Sequence, residues 1–92
     1  MRALRKTTPP PATDEDPERE LAYTIAQAVY ELRTEQGLSQ GELADRVGTK
    51  QPRISVVESA AKLPTLPLLV RIAKALGVRL VVRFEKPGED TQ

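Results

Sequence analysis

Five residues in one short stretch, Gln51, Pro52, Arg53, Ser55 and Val56, carry side chains suited to the edges of nucleobases. A glutamine amide presents a donor and an acceptor side by side, the pattern that adenine complements. A guanidinium presents the paired donors that guanine takes. Pro52 and Val56 offer apolar contact of the kind that suits a thymine methyl, and Ser55 is a short donor and acceptor for a base or a phosphate. Each has a plainer role open to it. Gln51 and Ser55 also suit solvated surface, and Arg53 also suits an ion pair with Glu58 or with an acid on a neighbouring molecule.

This chemistry needs a frame that holds the five side chains outward, and residues 37–58 supply one. Ser39 stands before an apolar-periodic run with Glu42 three residues later, a capping box that starts a helix. Leu43, Ala44 and Val47 line one face of that helix, and Gly48 follows where a helix end takes a left-handed residue. A second helix starts near Lys50 or Gln51 with Pro52 in its first turn, where a missing N–H costs nothing. Ile54 and Val57 turn inward. The linker, residues 48–50, is about three residues long, so the helices cross steeply, and the small Ala44 permits close approach. The spacing predicts a helix-turn-helix, whose second helix enters the major groove with its N-terminal residues toward base edges.

The same residues carry a resemblance. LSQGELADRVGTKQPRISVVE resembles the signature of the lambda-repressor-like, XRE-type helix-turn-helix at Leu38, Gln40, Leu43, Ala44, Val47, Gly48, Gln51, Ile54 and Glu58. Over a wider window, residues 21–84, the chain is similar to HigA-type antitoxins of type II toxin–antitoxin systems. The resemblance implies a compact helical domain followed by one C-terminal strand. It also implies that Gln40, at the start of the first helix of the pair, bonds a phosphate. The free N–H groups beside it, at the end that Ser39 caps, favour the same anion. Thr49, Lys50 and Lys62 are further phosphate candidates, Lys62 being equally at home as a solvated lysine. The resembled family often has a polar residue in place of Val56, and Gly and Asn in place of Ala60 and Ala61.

Composition narrows the function classes. The 92 residues make one small domain with no Cys and no His, which removes disulfides, thiol chemistry and the commonest metal ligand and general base. A reducing, cytoplasmic setting is expected. No cofactor is called for, and no nucleophile–base constellation marks an enzyme. No apolar run approaches the roughly 20 residues that a bilayer requires, and Arg2, Arg5 and Lys6 are not followed by a signal-peptide core. The net charge of +1 is uninformative, but its distribution is not. Residues 14–20 hold five acids and one base, whereas residues 49–62 hold Lys50, Arg53 and Lys62 against Glu58 alone. A polyanion meets the local sign.

Residues 1–15 are basic and then Pro-rich, with Pro9, Pro10 and Pro11, and read as a disordered tail: either a flexible arm or a solubilising extension. Asp16 caps a first helix with Pro17 at its first position, running to about Gln36 before Gly37. Leu21, Ile25, Ala28, Val29 and Leu32 are its expected core stripe. Tyr23 and Tyr30, with Ala26, form a neighbouring stripe that either faces a partner or lies along the edge of the core. Thr65 caps a last helix with Pro67 in its first turn, apolar at Leu66, Leu69, Val70, Ile72, Ala73 and Leu76, and ended by Gly77. Residues 78–85 then read as a strand, with Val78, Leu80, Val82 and Phe84 alternating against Arg79, Val81 and Arg83. Arg79 and Arg83 are expected in solvent or paired with Glu85 across a ribbon. No second strand exists in the chain to pair the first, so the expectation is a two-fold dimer with an antiparallel ribbon. The alternatives are addition to a partner's sheet or docking on the first helix. Residues 86–92 read as a polar, frayed tail.

The expected architecture is therefore mainly α: a compact four-to-five-helix lambda-repressor-like domain over residues 16–77, with one C-terminal strand pairing across a dimer. The expected partners are double-stranded DNA with a pseudo-palindromic operator, a second copy of the chain and, by the resemblance, a RelE/HigB-like ribonuclease toxin. A stand-alone XRE-family regulator without a toxin is the alternative, and no membrane is involved.

Overall fold

The computed structural model describes residues 16–87. The expectations for the Pro-rich N-terminal tail and for most of the C-terminal tail lie outside them. Four helices follow in order: α1 (Pro17–Glu35), α2 (Gln40–Val47), α3 (Gln51–Ser59) and α4 (Leu66–Leu76).

Their ends lie where short-range hydrogen bonding puts them. The Asp16 carboxylate accepts from the Arg19 N–H at 3.1 Å. Ser39 and Glu42 form the reciprocal capping box: the Glu42 N–H donates to Ser39 Oγ at 3.0 Å, and the Ser39 N–H to Glu42 Oε1 at 2.8 Å. Thr65 Oγ1 accepts from the Leu68 N–H at the head of α4. At the end of α2, Gly48 adopts φ +85°, and the Thr49 N–H reaches back to the Ala44 carbonyl at 2.9 Å. That left-handed closure disfavours any residue with a Cβ. Arg71 of α4 completes it by donating to the Val47 and Gly48 carbonyls at 2.9 and 3.0 Å.

Bonds from the Ser39 N–H and hydroxyl hold the Glu42 carboxylate below its ordinary pKa. A depressed carboxylate pKa contributes stability above the unfolded value, and that contribution is lost as pH falls through the folded one. The Glu42 side chain should accordingly titrate below 4.5 in the folded chain. Ser39→Ala keeps the backbone N–H and removes the hydroxyl, and should move it only part of the way back up, as read by NMR titration.

α3 closes differently. Ala60 takes the left-handed conformation at φ +60°, the one non-glycine residue to do so among those described. An L-residue pays about 1–2 kcal/mol there. Ala60→Gly should therefore raise stability by about 0.5–1 kcal/mol net of the extra chain entropy of glycine, seen as a higher urea midpoint at unchanged slope.

The core lies where α1, α2, α3 and α4 meet, built on Val29, Leu43, Val47, Ile54, Val57, Leu68, Ile72 and Leu76, with Leu43 and Ile54 fully enclosed. Ile25, Leu32 and Leu38 pack against its margin.

Two expectations need correcting here. The inward line of α1 is Ala22, Ala26, Val29 and Arg33, so that of the expected stripe Leu21, Ile25, Ala28, Val29 and Leu32 only Val29 is fully buried, Ile25 and Leu32 packing at the margin. Leu21 is half exposed and Ala28 exposed. The largest apolar side chains flank the contact, while small residues and one arginine occupy its centre. On α4, Leu68 is buried, whereas Leu66 and Val70 are more than half exposed.

The C-terminal strand is not formed in the single chain: residues 78–85 carry no strand among the described residues. An extended segment with no neighbour has no ladder to join. The alternation is not expressed either, because Val78, Val81, Val82 and Phe84 are all exposed, Phe84 completely. Arg83 pairs with Glu85 at 2.9 Å within this segment, both in solvent.

Candidate nucleic-acid interface

α3 presents two unlike faces. Ile54 and Val57 are buried beneath it, while Gln51, Pro52, Arg53, Ser55 and Val56 are all exposed. The expected base-reading set thus shares the outer surface of one nine-residue helix. The three-residue linker, residues 48–50, starts α3 immediately after the glycine turn. Pro52, in the first turn, removes one N–H that would otherwise lack a partner.

A chain of polar contacts fixes how α3 sits. Arg33 of α1 donates from Nε to Glu58 Oε2 at 2.7 Å and from Nη2 to Glu58 Oε1 at 3.0 Å, a two-pronged ion pair with both side chains almost wholly shielded. Its Nη1 donates to the Leu38 carbonyl at 2.7 Å, tying in the α1–α2 turn. Glu58 raises the Arg33 pKa, its hydrogen bond outweighing the cost of burial. Glu58 Oε1 also accepts from Gln40 Nε2 at 3.1 Å, and Gln40 Oε1 accepts from Gln51 Nε2 at 3.3 Å. The path runs α1 to α3 to α2 and back to the first residue of α3.

This arrangement leaves useful groups free. An amide NH2 has two protons and its carbonyl two lone pairs. With one Gln51 proton given to Gln40, the carbonyl and the second proton remain, which is the pair that adenine complements. Gln40 is less free than expected, since its amide bridges Glu58 and Gln51, leaving one N–H to turn outward. Arg53 does not pair with Glu58, because Arg33 and Gln40 occupy that carboxylate. Of the phosphate candidates, Lys50 and Lys62 are exposed, Thr49 is half-buried, and Ser39 is engaged in its cap.

Tyr23 and Tyr30 stand on α1, apart from this surface in sequence, and are 61% and 50% exposed, while Ala26 of the same stripe is buried. The Arg33 guanidinium lies over the Tyr30 ring, 5.5 Å from its centroid.

Sequence reading passed over Arg33, the residue that orients the whole set. A signal existed. Arg33 follows Ala22, Ala26 and Val29 at helical spacing, and Glu58 follows Ile54 by four, so each charge is in phase with a buried face. Arg71 and Gln36 were passed over as well. Arg71 holds the α2 end, and Gln36 Nε2 donates to the Leu76 carbonyl at 2.7 Å.

No helix among the described residues is long and apolar enough to cross a membrane. A helix-turn-helix family profile matches residues 29–82. Antitoxin HigA1 of Mycobacterium tuberculosis is 40% identical over 68 residues, which is 74% of this chain. The chain spans about half of that relative, 46% of its length. Among solved structures, the restriction-modification controller protein C.AhdI from Aeromonas hydrophila superposes with a TM-score of 0.64 at 29% identity, covering 67% of this chain and 90% of that one. A chain of the HipA-HipB-O2-O3 complex superposes with a TM-score of 0.62 at 29% identity, covering 71% and 92%.

Proposed function

We propose, because this chain belongs to the helix-turn-helix family, that it is a sequence-specific DNA-binding repressor acting as the antitoxin of a type II toxin–antitoxin pair. In this reading it represses its own operon and neutralises a RelE/HigB-like ribonuclease. The observation that carries the DNA-binding part is the outward row Gln51, Pro52, Arg53, Ser55 and Val56, held in register by the Arg33–Glu58–Gln40–Gln51 chain. A reader whose backbone and first side chain are already ordered loses less entropy on binding. Gln51 and Arg53 take base edges, and Lys50, Lys62, Thr49 and the α2 head with Ser39 and Gln40 take phosphates. The antitoxin part draws on the similarity to HigA1 and to a chain from an assembly named for HipA and HipB together. The similarity to C.AhdI, a restriction-modification controller protein, favours a second reading, a stand-alone regulator without a toxin.

The working unit in this proposal is a homodimer. Leu66 and Val70 on α4 and Val78, Val81, Val82 and Phe84 beyond it leave apolar surface in water on a small chain, which a second copy would cover. Val78, Leu80, Val82 and Phe84 are the proposed ribbon residues. A chain cut after Gly77 that stayed dimeric at micromolar concentration would exclude the ribbon.

The test of function is fluorescence anisotropy with a labelled duplex from the gene's own upstream region, a scrambled duplex as competitor, and a salt series. The expected result is competitor-resistant binding of two chains per duplex with a steep salt slope. Their reading helices should lie about one DNA turn, ~34 Å, apart. Equal, weak binding to both duplexes would overturn the repressor reading.

A further inference from the structure

α1 carries a face that the groove-reading set does not use. Tyr23 and Tyr30 are seven residues apart, two helical turns, and so project from one side of the helix. Arg19, Glu20, Gln27, Glu31 and Thr34 complete that side at three- and four-residue steps, and all seven are exposed. The rest of the exposed helix is acidic too: Asp16, Glu18 and Glu35 add to Glu20 and Glu31, with Arg19 the single exposed base, since Arg33 is buried and paired. None of these carboxylates is in an ion pair among the described residues.

We infer that this face, centred on Tyr23 and Tyr30, is a docking surface for a protein with a basic, RNA-binding surface. The inference rests on the antitoxin reading above and names the surface that such a partner would meet. Three observations select the occupant. The sign disfavours DNA, because the exposed surface of α1 and its cap carries five carboxylates against Arg19 and so repels phosphate. It also disfavours a second copy, because a two-fold contact sets the same patch against itself and would bring Glu20 of one copy toward Glu31 of the other. A surface built to hold RNA is basic, and acidic residues around two aromatic anchors complement it, speeding encounter and fixing register. Tyrosine supplies large contact area at low entropic cost, and such residues dominate interface energy. Tyr30 is ordered in advance, because the Arg33 guanidinium, itself fixed by Glu58, stacks on its ring.

The probe is the product of the reading frame adjacent to this gene, co-expressed and purified with the full chain. Three variants are compared with the wild type: Tyr23→Ala with Tyr30→Ala, Glu20→Lys with Glu31→Lys, and Arg53→Ala. Affinity for the probe is read by calorimetry, operator binding by anisotropy, and folding by circular dichroism. The tyrosine pair should weaken the complex by about 100-fold, and the charge reversal should slow association by about tenfold or more at low salt. Both should stay folded and keep operator binding. Arg53→Ala should bind the probe normally. If the wild type forms the complex and both α1 variants retain it, the surface is wrong while the antitoxin reading stands. If the wild type forms no complex, the antitoxin reading fails and the inference with it. If the tyrosine variant becomes a monomer, the face belongs to the self-interface and the inference is overturned.

Discussion

Arg33→Ala is expected to lose about 3–5 kcal/mol of stability, the cost of leaving a shielded carboxylate without its partner. The Arg33 and Glu58 side chains are only 11% and 6% exposed, so water cannot replace the missing guanidinium. The substitution also removes the donor to the Leu38 carbonyl. A domain of this size has a total stability of about 5–10 kcal/mol, so the variant should keep only a reduced margin and unfold at a markedly lower urea concentration.

Urea unfolding at 25 °C on Arg33→Ala, Glu58→Ala and Arg33→Met with Glu58→Leu gives the check. The paired apolar replacement should recover much of the loss, because removing both charges leaves no uncompensated charge, although the Leu38 carbonyl and the Gln40 amide each lose a partner. Arg33→Lys should fall between, since a lysine is a point charge and cannot span both carboxylate oxygens while reaching Leu38. A loss below about 1 kcal/mol in Arg33→Ala would mean that the pair behaves as a solvent-screened surface bridge.

Operator-bearing DNA should distinguish a second substitution from every phosphate contact. Arg53→Ala is expected to weaken binding to the preferred duplex by about 1–3 kcal/mol per half-site and to relax discrimination at one base pair. It should not alter unfolding, because Arg53 is exposed and makes no described bond from its side chain. Lys50→Ala serves as the contrast, with a uniform loss on all sequences and a salt slope reduced by about one. Anisotropy on a panel of single-base-pair operator variants reads both. Equal losses on preferred and scrambled DNA would reduce Arg53 to a phosphate contact. The comparison is informative because Arg53 lies one turn before Val57, beneath which α3 is anchored. A change in its side chain need not disturb the helix that presents it.

The structure also ties reading to folding. Gln51 is held by Gln40, Gln40 by Glu58, and Glu58 by Arg33. Variants at Arg33 that remain folded should therefore still lose operator discrimination, because the first residue of α3 loses the far end of its support. That distinguishes them from Ala60→Gly, which touches only the closing residue of α3.

Helix limits were legible in the sequence because the forces that set them act over three or four residues. Asp16, Ser39 with Glu42, and Thr65 each bond a backbone N–H three residues on, and Gly48 and Gly77 close their helices within the same span. The short linker of residues 48–50 made the two middle helices cross, and that in turn placed Gln51, Pro52, Arg53, Ser55 and Val56 outward. None of this required knowledge of a distant residue.

Tertiary structure alone decided three other things. Which stripe of α1 turns inward was settled by fit. Ala22 and Ala26 admit a close neighbour where Leu21 would not, and apolar periodicity weighs side chains by hydrophobicity, not by the room available. Arg33 acquired its role from Glu58, 25 residues away, a pairing that depends on how α1 and α3 cross. The fate of residues 78–85 was the third, since a strand is completed by a neighbour and the described residues of the single chain contain none. The sequence by itself thus determined the helices and the outward-facing set, through bonds between near neighbours. The tertiary structure determined what holds that set still, because a buried ion pair exists only where two distant segments are brought into the same dry contact.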